Sequence, residues 1–187
     1  MGERDGDAPA DRDLTAGGGG NAGATGALTA RLLTGPGSAR IAMIETGGWD
    51  THSAQTARLG AQLKGLDAML AALKAGLEAA WSDTLVLVAT EFGRTVAVNG
   101  TGGTDHGTGS AAMLLGGAVA GGRVVADWPG LTSANLYEGR DLKPTLGLDA
   151  LIVGALGQHY GIDPAPLAKA LFPDVPYVKL GERSIRT

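Results

Sequence analysis

The sequence contains no cysteine, which excludes disulfide bonds, thiolate metal sites and cysteine nucleophiles. Aromatic residues make up only 4% of its 187 positions, so aliphatic side chains must form the core. There is no excess of positive charge either, because 15 lysines and arginines stand against 19 aspartates and glutamates. Without a basic cluster the chain cannot displace the counterions of a nucleic acid, and we expect no nucleic-acid partner.

Long apolar runs are also lacking. No stretch approaches the roughly 18 apolar residues that cross a bilayer, and the N-terminus has neither a basic segment nor an apolar one. We therefore expect a chain without a membrane span or an export signal, cytoplasmic by default. Its length is that of one globular domain.

Glycine, in contrast, is abundant, with 32 residues. Many of them lie near the N-terminus, where residues 1–26 contain a run from Gly17 to Gly20 and almost no side chain to bury. Burial there cannot offset roughly 1–2 kcal/mol of backbone entropy per residue. The sequence predicts a disordered, Gly-rich segment at 1–26 and a folded domain at 27–187.

The folded part shows alternating strand and helix patterns. Apolar runs predict strands at 41–45 and 84–90, and six leucines spaced four and three apart predict a long helix at 53–80 between them. A short helix is predicted at 27–33. Strand, helix and strand in this order form a βαβ unit.

Further along the chain, short apolar runs predict strands at 111–115 and 123–126, followed by helices at 145–160 and 164–171. Together these elements predict an α/β fold with a mainly parallel sheet flanked by helices. In such sheets ligands bind beyond the carboxyl ends of the strands.

Polar residues fall at those strand ends. Asp50 and His52 lie in the segment GGWDTH, and Asp105 and His106 lie in GTDHGTG. Carboxylate and imidazole together are the ligands that divalent metals such as zinc and manganese bind. The four residues are therefore candidate metal ligands, with zinc, manganese or calcium as the candidate ion.

A purely structural interpretation remains open for each pair. Asp50 or Thr51 would cap the long helix, with His52 in its first turn. Asp105 would order its own loop through an Asx-turn, and His106 would donate to a backbone carbonyl.

Glu91 and Arg94 end the second strand, three residues apart. They are candidate catalytic residues: Glu91 would act as a metal ligand or a base, and Arg94 would bind the anionic group. Alternatively, the two form an ion pair that closes the loop. His159, near the end of an apolar helix, is expected to be a helix cap or an edge residue of the core.

Five motifs occur in order within residues 41–172: GGWDTH, the Leu-rich helix containing Gly65-Leu66-Asp67, DTLVLVATEFGRT, GGTDHGTGSAAMLLGGAVAGG and EGRDLKPT. In this respect the chain resembles the bacterial proteins grouped as DUF1501, which are similar to the alkaline phosphatase and sulfatase superfamily. The resemblance implies an alkaline phosphatase-like fold and a metal-dependent hydrolase of phosphate or sulfate esters. Its substrate would be a small anionic ester.

By the same resemblance, Asp50 and His52 correspond to ligands of one metal, and His106 corresponds to a later histidine ligand, with Asp105 beside it. The superfamily's Asp-His-Gly motif for a second metal is replaced by residues 91–93, where Glu91 can still coordinate and Phe92 cannot. Residues 145–148, Thr-Leu-Gly-Leu, also depart from the family's usual Pro-Thr-Thr-Asp pattern.

The resemblance further implies that the chain corresponds to the C-terminal half of longer, exported proteins, whose nucleophile lies in the N-terminal half. We therefore expect an incomplete fold that associates with a second copy or with the missing half. The alternative is a non-catalytic binding module or a truncated, inactive family member.

Overall fold

The computed structural model describes residues 15–16, as backbone alone, and residues 21–178. Four α-helices are formed in this part of the chain: α1 (Ala22–Leu33), α2 (Gln55–Leu77), α3 (Leu148–Tyr160) and α4 (Pro164–Leu171). The strands are short: β1 (Thr15–Ala16), β2 (Glu45–Thr46), β3 (Val86–Val88), β4 (Gly93–Arg94), β5 (His106–Gly107) and β6 (Met113–Leu115). Two 3₁₀ segments, Glu78–Asp83 and Ser133–Asn135, complete the elements.

Helices α1 and α2 pack side by side and build a small apolar core around Ala30, Leu73 and Leu77. The two backbones come close because Gly26 faces the backbone of Met69, where a Cβ atom would collide with the carbonyl group. Apolar burial of this kind supplies most of the stability of a helix pair.

The predicted long helix is confirmed as α2, although it is shorter than expected and a 3₁₀ segment takes over from Glu78. Of the leucines in its apolar stripe, Leu73 and Leu77 are buried, whereas Leu63 remains 49% exposed. The reason is length: α1 has 12 residues and covers only the C-terminal part of the 23-residue α2.

The strands β3 to β6 form two antiparallel ladders of one interrupted hairpin. Val88 lies opposite Met113, and Gly93 lies opposite Gly107, so the four residues 89–92 of one strand face the five residues 108–112 of the other. One extra residue on one side is a bulge, which bends a hairpin and redirects its side chains. The unpaired stretch begins at Thr108, two residues beyond His106.

The predicted mainly parallel sheet is wrong. Within the described residues the paired strands form three two-stranded sheets, and the pairs β3–β6 and β4–β5 are antiparallel. Only the two-residue pair β1–β2 is parallel. A continuous apolar run predicts a strand but not its direction, and a short Gly-rich connection favours the local hairpin over a crossover.

Two of the predicted strands are also wrong in extent. Residues 41–44 are not in a strand, and Ile41 and Met43 are 72% and 84% exposed. At 123–126 no strand forms, and Val124 is 92% exposed. Among the described residues no strand pairs with either segment, and a buried strand requires such backbone partners.

At the C-terminal end of the described chain the helix predictions hold. Helix α3 begins three residues later than predicted, and α4 has the predicted bounds. His159 lies in the last turn of α3, as expected, where its ring meets Tyr160 edge-on at a centroid distance of 4.8 Å. Gly161 then ends α3 with a positive φ of 65°.

The N-terminal prediction falls largely outside the described residues. Residues 1–14, 17–20 and 179–187 are not among the described residues. Residues 22–26, which we assigned to the disordered segment, belong to α1. No helix in the described part of the chain has the length and apolarity needed to cross a membrane.

Candidate metal centre

The two Asp-His loops meet at the carboxylate of Asp50. Its Oδ1 atom lies 2.9 Å from Nε2 of His52 and 2.8 Å from Nε2 of His106. Donor atoms of these three residues all lie within 4.8 Å of one another. The structure therefore brings together three of the four candidate ligands from loops more than 50 residues apart in sequence.

This donor set fits a divalent ion. Two imidazole nitrogens and a carboxylate oxygen are a common protein ligand set for catalytic zinc, and three protein ligands leave positions open for water or substrate. With bonds of about 2.0–2.2 Å, the ligand atoms of a tetrahedral site are about 3.3 Å apart, roughly 0.5 Å more than the 2.8–2.9 Å between Asp50 Oδ1 and the two Nε2 atoms. The side chains are 45–54% exposed, so an ion can reach them from solvent.

Asp105, the fourth candidate, lies behind His52. Its Oδ1 atom is 3.1 Å from Nδ1 of His52, on the opposite side of the ring from Asp50. A carboxylate in this position orients an imidazole and selects the tautomer that leaves Nε2 free for a metal. The geometry therefore favours an orienting contact for Asp105 over direct coordination.

Asn99 holds this arrangement together, although the sequence motifs did not single out this residue. Its amide nitrogen donates to the carbonyl of His52 at 2.9 Å and to Oδ1 of Asp105 at 3.1 Å. Its amide oxygen accepts from the backbone N–H groups of Thr101 and Gly103. The available signal was the Asn-Gly dipeptide, because asparagine orders a turn through such local hydrogen bonds.

Arg94 braces the centre from the neighbouring strand. Its Nη1 donates to the carbonyl of Thr104 at 2.9 Å, and its Nη2 donates to the carbonyl of Trp49 at 2.7 Å and to Asp50 at 3.0 Å. The guanidinium thus joins the loop of Asp50 to the loop of His106. Glu91 is exposed and, among the described residues, makes no ion pair with Arg94.

Phe92 covers one face of His106. The two rings are stacked, with centroids 4.5 Å apart and an interplanar angle of 22°, and the Arg94 guanidinium lies 4.9 Å from the centroid of the phenyl ring. These contacts limit the rotation of the imidazole and provide a weak cation–π attraction.

The alternative interpretation of Asp50 and Thr51 as helix caps is not supported. Helix α2 begins at Gln55, and its N-cap is Ala54, which makes no side-chain cap hydrogen bond. The first N–H groups of this helix instead donate to the carbonyls of Thr101 and Gly102. His106 likewise contacts a carboxylate where the alternative required a backbone carbonyl.

The charges around the centre favour ionised carboxylates. The hydrogen bond with His106, followed by that from Arg94, lowers the pKa of Asp50 below its usual 3.8. The pKa of Asp105 is lowered by the hydrogen bond from Asn99 and then by that with His52. Ionised carboxylates are the form that binds metal ions and orients metal-bound histidines.

Two glycines allow the loops to approach this closely. A Cβ atom on Gly103 would collide with the backbone of His52 and Thr51, and one on Gly107 would meet the backbone of Arg94. The glycine-rich character of the segment thus has a local cause, since backbone lies against backbone at the site.

Comparison with known families supports the resemblance seen in the motifs. The model of the family described as "Protein of unknown function (DUF1501)" matches residues 4–171 and thus begins well before the first motif. Neither the curated proteins nor the solved structures that were compared include a match. Since the family model covers most of its length, the chain belongs to the DUF1501 family.

Proposed function

We propose that Asp50, His52 and His106 bind one divalent metal ion, zinc or manganese, and that this centre serves the hydrolysis of phosphate or sulfate esters. The observation that carries the proposal is the convergence of the three donor atoms within 4.8 Å. Oxygen and nitrogen donors without thiolate suit the borderline and hard divalent ions that act on such esters.

Within this proposal each residue has a defined task. Asp50 supplies the anionic ligand, while His52 and His106 supply neutral nitrogens. Asp105 contacts Nδ1 of His52 and would leave Nε2 free for an ion, and Arg94 fixes Asp50 and the carbonyls of both loops. A bound ion would polarise the ester oxygen as a Lewis acid.

The superfamily relation is part of the proposal. We propose that the chain is similar to the C-terminal half of an alkaline phosphatase-like or sulfatase-like protein, the half that supplies the ligands of one metal. The apolar side chains of Ile41 and Met43 are 72% and 84% exposed, a surface that a further part of a longer protein would cover. The superfamily's nucleophile lies in the other half, so water would be the nucleophile in a reaction of this chain alone.

A second candidate function is a metal-binding module without catalysis. It is favoured by Phe92, which stacks on His106 at the position where the superfamily's second metal motif has a histidine. An apolar ring there cannot coordinate, so a two-metal reaction has no ligand at this position.

The two functions differ in turnover. We expect the zinc- or manganese-loaded chain to hydrolyse an aryl phosphate or an aryl sulfate, and His106→Ala to lose this activity. His159→Ala is the matched control, because His159 lies on α3 outside the cluster. A metal-loaded chain that hydrolyses neither ester would contradict the hydrolase and favour the binding module.

A further inference from the structure

Asp141, in the motif EGRD, is a buried carboxylate outside the candidate metal centre. The residue is 2% exposed, and burial of a charge is costly unless partners compensate it. Oδ2 accepts a hydrogen bond from the hydroxyl of Thr108 at 3.1 Å and one from Nη2 of Arg140 at 3.3 Å. Oδ1 lies 2.9 Å from Nε of Arg140, a charge contact without hydrogen-bond geometry.

The backbone around Asp141 is joined to both strands of the interrupted hairpin. Asp141 forms a bridge with Thr95, and the N–H of Val96 donates to the carbonyl of Arg140 at 3.1 Å. On the other strand, the N–H of Gly109 donates to the carbonyl of Leu142 at 3.1 Å. Residues 140–142 therefore contact the hairpin directly after Arg94 and shortly after His106.

We infer that Asp141 is a positioning residue for His106 and acts through the hydroxyl of Thr108. Thr108 lies in the bulged strand segment, two residues beyond His106, where an unpaired stretch of 108–112 lacks regular ladder bonds. The hydrogen bond between Thr108 and Asp141 holds this stretch two residues beyond His106. His52 has a separate support in Asp105, so the two imidazoles are held by two different carboxylates.

The inference rests on the proposed metal centre for the importance of His106, but its test does not require a bound metal. The chain has three histidines, and their ring C–H cross-peaks in a proton–carbon correlation spectrum can be assigned by the His→Ala variants. We expect Thr108→Val to shift the cross-peak of His106 most, to shift that of His52 less, because its ring lies 4.9 Å away, and to leave that of His159 in place.

Conservative and matched variants separate positioning from general damage. Thr108→Ser retains the hydroxyl and should restore the His106 cross-peak, whereas Thr145→Val, an exposed threonine elsewhere, should shift none. Asp141→Ala should shift the same cross-peak, and adding Thr108→Val to it should shift the peak no further. If Asp141→Ala does not fold, the comparison of Thr108→Val with Thr108→Ser, two variants of an exposed residue, still tests the inference.

Cobalt(II) binding measured on the same proteins distinguishes the two proposals. We expect Thr108→Val to weaken cobalt binding about tenfold and to alter the visible spectrum of the bound cobalt. Loss of a residue that holds a metal ligand in place typically has an effect of this size. A His106 cross-peak that stays in place in folded Thr108→Val would overturn the role of Asp141. A wild-type chain that binds no cobalt would contradict the metal centre alone, since the cross-peaks test the positioning separately.

Discussion

The helix pair and the candidate metal centre use opposite means of holding residues in place. Helices α1 and α2 bury Ala30, Leu73 and Leu77 to 4% exposure or less, and small residues let their backbones touch. The metal centre leaves its three candidate ligands about half exposed and holds them by hydrogen bonds and ion pairs. Apolar burial is largely independent of pH and of metal, whereas a polar cluster depends on both.

From this difference we expect stability and metal affinity to be separable in this chain. A change in the helix pair should lower the free energy of unfolding and leave the affinity of the folded protein for metal unaltered. A change in the polar cluster should do the reverse, because exposed charged contacts contribute little to stability. Each of the following predictions tests one side of this separation.

The largest effect is expected from Leu73→Ala in the helix pair. Leu73 is 4% exposed, and truncation of a buried leucine removes apolar contacts and leaves a cavity, at a cost of about 2–5 kcal/mol. Chemical denaturation should detect this loss, while Leu63→Ala, on the exposed part of the same helix, should cost much less. A loss of zinc affinity in folded Leu73→Ala would break the proposed separation.

The next largest effect is expected from Asp50→Ala. Both imidazoles and Arg94 are directed at this one carboxylate, so its removal deletes a ligand and the anionic charge of the site. We expect zinc affinity to fall by about 100-fold or more, with little change in the thermal midpoint of the metal-free protein. Calorimetric titration measures the affinity, and Asp67→Ala on the exposed side of α2 is the control.

A smaller loss is expected from Asp105→Asn. The amide keeps the size of the side chain but removes the charge that orients His52, and loss of such an outer partner typically lowers metal affinity about 10- to 100-fold. Asp127→Asn, in an exposed loop, should bind zinc like the wild type. If Asp105→Asn abolished binding as completely as Asp50→Ala, Asp105 would be a direct ligand.

The smallest effect is expected from acid on the metal-free protein. Asp50 and Asp105 have pKa values lowered below 3.8 in the folded state, so their ionised forms stabilise it above that pH. This contribution is lost as the pH falls below 3.8 through the folded-state values. The thermal midpoint of the wild type should therefore decline more steeply there than that of the Asp50→Asn, Asp105→Asn double variant. Equal slopes would contradict the favourable charge contacts.

Much of the local structure is predictable from the sequence because it depends on short-range patterns. The leucine spacing locates α2, and the apolar runs locate β3 and β6. The direction of strand pairing is not predictable in this way, since it depends on which segments meet in three dimensions. The exposed apolar residues Ile41 and Val124 illustrate the same limit, because an apolar run predicts a strand only if a partner is present.

The candidate site shows the same division. Residue type alone singles out Asp50, His52, Asp105 and His106, because carboxylate and imidazole are metal-binding groups. It does not reveal that Asp105 contacts Nδ1 of His52, or that Arg94 donates hydrogen bonds to the carbonyls of Trp49 and Thr104. Those contacts arise from the bulged hairpin, whose register the sequence pattern does not specify.

The zinc content of the purified chain, by elemental analysis after dialysis against zinc and then buffer, tests the central claim most directly. We expect about one equivalent of zinc in the wild type and in His159→Ala, and essentially none in His106→Ala. No zinc in the wild type, or equal zinc in His106→Ala, would contradict a metal centre built from Asp50, His52 and His106.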